Sequence, residues 1–181
     1  MKNYSHLAIS FLKIILWISL VSASIAILVT TLCLAAVVFD FNLSFLTGTK
    51  ITVNDTAIKF TDLKQTGTFS FTVFGILIIA YLWIFIKLVN NALNVLYKVD
   101  FQNPFNQETS NLITKLGFSA FVLGILNIAF SSIIPMLFKG NFAINFSFES
   151  FNFLMIAAIL YIVSLIFKKG VELQSENDLT I

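Results

Sequence analysis

The side chains that most often do chemistry are nearly absent from this chain. It has one histidine, His6, one cysteine, Cys33, and no arginine among its eleven basic residues. A lone histidine ahead of the first apolar run reads as a solvated side chain. A lone cysteine inside that run supports neither a disulfide framework nor a cysteine-based metal site. Lysine without arginine also removes the planar fork that clamps phosphate or carboxylate at two points. The composition therefore points away from direct nucleic-acid binding, zinc chemistry and histidine-based triads. All nine carboxylates fall outside the spans assigned below, and no phosphate loop, dinucleotide fingerprint or carboxylate pair is present. No catalytic residue, cofactor or metal ligand is assigned, and the expectation is a protein that is not an enzyme.

One polar residue stands apart. Asn127 interrupts an uncharged stretch and is followed by Ser131, Ser132 and Pro135. An amide in hydrocarbon hydrogen-bonds to a neighbouring helix, and Ser22, Ser24, Thr30 and Thr31 of the first apolar run are its candidate partners. That role is interhelical glue; a substrate contact is the alternative.

The elements that must hold these residues follow from composition. Hydrophobic residues make up 58% of the chain, Phe alone supplies 21, and only 11% are charged; a soluble domain carries about 25%. Too few polar side chains remain to cover a water-soluble surface. Four apolar runs are long enough to cross about 30 Å of hydrocarbon as helices, with spans at residues 14–38, 69–87, 117–138 and 150–167. The first run is too long for a cleaved signal segment. The expected fold is all-α and integral to the membrane: one domain of four transmembrane helices, with a small β-like extracytoplasmic loop.

Lysines set the expected orientation. Lys2, Lys13, Lys87, Lys98, Lys115, Lys168 and Lys169 share one side, against Lys50, Lys59, Lys64 and Lys139 on the other. The N-terminus, loop 88–116 and tail 168–181 are therefore expected in the cytoplasm, with 40–68 and 139–149 as outer loops. Trp17 and Trp83 then fall towards the inner interface. In the first outer loop, short β-rich runs flank Asn54-Asp55, a hairpin signal. In the second, Phe142, Ile144, Phe146 and Phe148 alternate as on one face of a strand. The helix of the second span is expected to continue past Lys87, with Asn90, Asn91, Asn94 and Lys98 on one face and Leu88, Ala92, Val95, Leu96 and Val99 on the other, and to lie along the headgroups; a docking surface is the alternative. Asn103 is expected to cap a new helix with Pro104 at its first position, Glu108 in its early turns and Lys115 further along.

Two cytoplasmic stretches carry a resemblance. Asn103-Pro104-Phe105, then Glu108, then Lys115-Leu116-Gly117, together with Gly170, Leu173, Glu176 and Leu179-Thr180-Ile181, resemble the motifs of a bacterial four-span membrane family catalogued as domain of unknown function 2975. The resemblance covers essentially the whole chain. It departs from the family pattern in basic residues: only Lys115 stands before Gly117, amid Asn111, Leu112 and Thr114. That counts against a strongly basic docking or lipid-binding face.

The resemblance implies a protein of the bacterial cytoplasmic membrane with no assigned activity. Members of that family are often encoded beside a small helix-turn-helix regulator. The leading expectation is an accessory or signalling protein, in contact with the lipid bilayer, that docks a cytoplasmic partner such as a small transcription regulator. Asn103, Pro104, Phe105 and residues 172–181 are the candidate contacts, the tail with Glu172, Glu176 and Asp178 serving as an acidic, extended handle. Leu179-Thr180-Ile181 is a candidate for adding as a strand to a partner sheet; the alternative is that the tail packs on the cytoplasmic loop and completes the fold. The other functional reading is a small-molecule permease or pore made by homo-oligomerisation, with Asn127 on its path.

Overall fold

The structure is a computed structural model that describes residues 2–39, 50–53, 56–59, 67–98, 105–139 and 147–178. Among them are four long helices: α1 (Lys2–Val38), α2 (Thr68–Lys98), α3 (Gln107–Lys139) and α4 (Phe148–Asp178). Two short strands, β1 (Lys50–Val53) and β2 (Thr56–Lys59), lie between α1 and α2 and pair antiparallel, with Lys50 opposite Lys59 and Val53 opposite Thr56.

The helices are rich in Ile, Val, Phe and Thr, residues with a preference for strands. Apolar surroundings override that preference, because a helix satisfies its backbone N–H and C=O groups within one segment. Side-chain hydroxyls are hidden the same way. Ser24, Thr30, Thr31 and Thr72 each donate to a carbonyl four residues earlier on their own helix. The starts of α2, α3 and α4 each have their own device. Gly67, with φ of 101°, takes the left-handed turn into α2, and its carbonyl accepts the Phe71 N–H at 3.2 Å. Asn106 caps α3 by accepting the Thr109 N–H at 2.7 Å. Ser147 caps α4 by accepting the Ser150 N–H at 3.2 Å.

Packing runs in sequence, α1 on α2, α2 on α3 and α3 on α4, each pair antiparallel. Phe71 and Phe74 of α2 meet Phe130 and Ile134 of α3 in a buried cluster, with Leu34 and Val37 of α1 against it. Tyr81 meets Phe130 edge-on at 5.7 Å. Small residues let backbones approach. Gly124 of α3 lies under Leu154 of α4, and Gly75 of α2 receives the Leu34 side chain. On α1 the buried side chains are alanines, Ala23 and Ala36, while Leu7, Phe11, Ile18 and Leu32 face outward.

Three local expectations are corrected. Residues 88–98 continue α2 without a break to Lys98, as expected, but they pack against neighbouring helices instead of lying along the headgroups. Val89 and Leu93 are buried there, Asn91 bonds to Ser119 of α3 at 3.0 Å, and the Tyr97 hydroxyl accepts the Trp17 indole N–H at 3.3 Å. The three asparagines misled the reading, because one of them pays its desolvation through a bond across the helix interface. Phe148 is not strand but the first residue of α4, set there by the Ser147 cap; Phe142, Ile144 and Phe146 lie outside the described residues. Finally, α3 begins at Gln107 and its cap is Asn106, whereas Asn103 and Pro104 lie outside the described residues.

Candidate functional site

The residues of the two motifs converge at one end of the helix row. Phe105, just before α3, lays its ring against Phe167 of α4, with centroids 5.3 Å apart and tilted by 48°. The same ring fills the space over Gly170. A Cβ there would stand 2.9 Å from the ring's Cγ and 3.0 Å from Cε1. Glycine is thus required at 170 by the close approach of Phe105. Two residues distant in sequence form one joint.

Around this joint lie the charges. The Lys98 ammonium donates to Glu108 at 2.6 Å, joining the end of α2 to the first turn of α3. Both are exposed, so the pair contributes about 1 kcal/mol or less. The Lys13 ammonium sits 4.1 Å from the centre of the Tyr97 ring. Gly117 lies against α4, where an added Cβ would be 3.2 Å from Leu160 Cβ, and the Lys115 carbonyl accepts the Ser119 hydroxyl at 2.9 Å. The Lys115 side chain itself is exposed.

Beyond the joint α4 continues as a charged helix to Asp178. This corrects the expectation of an extended handle through residues 172–178; Leu179, Thr180 and Ile181 lie outside the described residues. Helix persists because Lys169 and Glu172, one turn apart, bond at 3.0 Å. That hydrogen bond, with the charge behind it, holds the Glu172 carboxyl below its ordinary value and the Lys169 ammonium above. Leu173 and Glu176 are exposed on this extension.

The joint yields a prediction. Gly170→Ala is expected to expel the Phe105 ring and destabilise the protein by about 1–2 kcal/mol, in the range of overpacking. Unfolding in mixed detergent micelles with rising dodecyl sulfate measures this, and Phe105→Ala combined with Gly170→Ala should recover part of the loss.

A second polar locus lies far along α3. Asn127 is 2% exposed. Its Oδ1 accepts the hydroxyls of Ser147 and Ser150, both at 3.0 Å, and its Nδ2 donates to the Glu149 carboxylate at 3.4 Å. The serine hydroxyls also approach each other at 2.8 Å. Each has one proton, so two of these three hydroxyl contacts form at a time. Tyr81 of α2, edge-on to Phe130 one turn along α3, lies near this group. The expected partners on α1 are therefore replaced. Ser24, Thr30 and Thr31 bond to their own helix, and α1 packs on α2 rather than on α3. Sequence reasoning missed Ser147, Glu149, Ser150 and Tyr81, although a serine immediately before an apolar run is a capping signal.

Helices of this length and hydropathy, with Leu, Ile, Phe and Trp side chains turned outward along them, define an integral membrane protein with several spans. The chain belongs to the family described as Protein of unknown function (DUF2975), whose model matches residues 51–181. The match takes in the joint, the Asn127 group and both motifs, while α1 precedes it. No curated protein and no solved structure matches the chain.

Proposed function

We propose that this protein is an accessory or signalling component of the bacterial cytoplasmic membrane that holds a soluble partner on its cytoplasmic face. The lysine distribution supports placing both ends and the Phe105–Gly170 joint on that face, with the β1–β2 ribbon outside. The observation that carries the reading is the extension of α4 past Lys169, a helix rooted by Phe105 and Phe167 and offering exposed Leu173 between Glu172 and Glu176. Leucine flanked by carboxylates on a preordered helix suits a partner with an apolar groove and a basic rim. A small helix-turn-helix regulator, the partner class implied by family resemblance, is the leading candidate. The reading assigns no catalysis.

Affinity capture from native membranes in mild detergent tests it. Deleting residues 172–181, or Leu173→Asp alone, is expected to lose the partner while the protein stays in the membrane at its usual level. Retention of every cytoplasmic partner after both changes rejects the handle.

The Asn127 group favours a second reading, a small-molecule permease or pore built by homo-oligomerisation. Flux into liposomes that disappears on Asn127→Leu, with the protein still folded, would support it.

A further inference from the structure

Contacts near the joint set the helices level with one another. Trp17 of α1 reaches Tyr97 of α2, Lys98 of α2 reaches Glu108 of α3, and Phe105, just before α3, meets Phe167 of α4. From that common level Lys115 stands about 10 Å along α3 and Lys87 about 16 Å along α2. At these heights the outer helices show exposed apolar side chains, Ile18 and Val21 on α1 and Ile159, Ile162 and Leu165 on α4. Gly117 against Leu160 and Gly124 against Leu154 carry the same levels across to α4. Apolar surfaces of this kind are covered by lipid tails. Lys87 and Lys115 therefore stand within the leaflet on the joint side, whose hydrocarbon is about 15 Å deep.

The face that bears them changes character along its length. On α2, exposed Phe69, Ile76 and Trp83 form its apolar part, and exposed Lys87, Asn90 and Lys98 with half-buried Asn94 continue the same stripe towards the joint. Beside it α3 repeats the change, with exposed Phe121 and Phe118 giving way to exposed Lys115 and Asn111. Asn91, bonded to Ser119 at 3.0 Å, and the Lys98–Glu108 pair hold the two stripes side by side. Taken alone, α3 offers one lysine before Gly117; packing against α2 adds Lys87 and the amides of Asn90 and Asn94.

Glu108 neutralises Lys98, but among the described residues no carboxylate is paired with Lys87 or Lys115. The Lys87 ammonium is 6.0 Å from the ring centre of Trp83, one turn further from the joint, so it is not turned towards water at the joint end. An ammonium on a lipid-facing surface needs a counter-charge or a route to water. A second copy joined through this face by a two-fold axis would bring two more lysines against the first two. A soluble acidic segment would satisfy the polar half and leave the apolar half bare. A phospholipid matches both halves, with its head towards the joint and its tails along the aromatic side chains.

We propose that the joined α2–α3 face binds one anionic phospholipid of the joint-side leaflet. Lys87 and Lys115 supply charge to its phosphate, Asn90 and Asn94 hydrogen-bond its head, and the apolar halves of the two stripes hold its acyl chains. Lipid on this face is compatible with docking or with permeation and depends on neither.

Native mass spectrometry of the purified protein, drawn in mild detergent from vesicles of equimolar phosphatidylcholine and phosphatidylglycerol, tests it. The unmodified protein is expected to retain phosphatidylglycerol about tenfold over phosphatidylcholine, the preference two lysines near a headgroup supply. Lys115→Gln alone, at an exposed position, should lower that preference about threefold. Lys87→Gln with Lys115→Gln should abolish it, Lys168→Gln on α4 should leave it unchanged, and excess inorganic phosphate should not displace the lipid. Equal retention of both lipids by the unmodified protein overturns the proposal without any variant. A preference that survives both lysine substitutions overturns it too, since the lipid then sits elsewhere. Lipid lost to free phosphate would make the face a soluble-anion site, and a lipid-free dimer would give it to a second copy; either result rejects the lipid.

Discussion

Gly124→Ile is expected to destabilise the protein by about 3 kcal/mol, the upper range for overpacking, and to separate α4 from α3. A Cβ at 124 would stand 2.9 Å from both Cγ and Cδ2 of Leu154 and 3.4 Å from its backbone nitrogen. Leu154 cannot swing clear as a surface side chain would, because its Cγ sits close to the facing backbone. Helix association in lipid has little hydrophobic drive and depends on close contact, so a branched side chain wedged here removes what holds the pair. Dodecyl sulfate titration of the purified protein measures the loss. Gly67→Ala is the control: nothing lies within 4 Å of an added Cβ, but φ of 101° strains any other residue. That substitution should cost about 1 kcal/mol, and it should leave α3 and α4 together. A larger effect at 67 than at 124 would mean that turn geometry, not helix contact, limits stability.

The legible part of this fold was its hydropathy. Runs without charge fixed the number of long apolar helices, since a lipid-solvated backbone has few alternatives to helix. Both motifs also identified residues that prove to be neighbours, Phe105 and Gly170. What the chain order hid was register. Charges bounded the apolar runs, but they do not show which turns of neighbouring helices meet: α2 continues to Lys98 and α4 starts opposite Asn127. Nor do they show what accommodates each charge. Lys87 lies beside the Trp83 ring, and Glu149 has an amide donor. Both accommodations come from geometry one turn away or on another helix, and no hydropathy window sees them.

The same amide carries the second large expectation. Asn127→Leu should cost about 2–3 kcal/mol, more than the roughly 0.6 kcal/mol typical of one interhelical hydrogen bond in a membrane. The excess arises because leucine strands three groups together: the hydroxyls of Ser147 and Ser150 lose their acceptor, and the Glu149 carboxylate loses a donor. A buried polar group left without a partner costs about 1–3 kcal/mol, partly relieved here because the two hydroxyls, 2.8 Å apart, still bond to each other. Asn91→Ala supplies the comparison. Its amide makes one good bond, to Ser119 at 3.0 Å, and Ser119 keeps the Lys115 carbonyl as acceptor. Its loss should therefore stay near the single-bond value. Folding free energies from dodecyl sulfate titration, with the Asn127→Leu, Ser150→Ala double-mutant cycle, separate the alternatives. If Asn127 serves as a hub, removing Ser150 first makes the leucine substitution cheaper by about 1 kcal/mol. Additive losses would instead mean that Asn127 and Ser150 are neighbours without coupling, and the start of α4 would then be held against the middle of α3 by Leu154 on Gly124 alone.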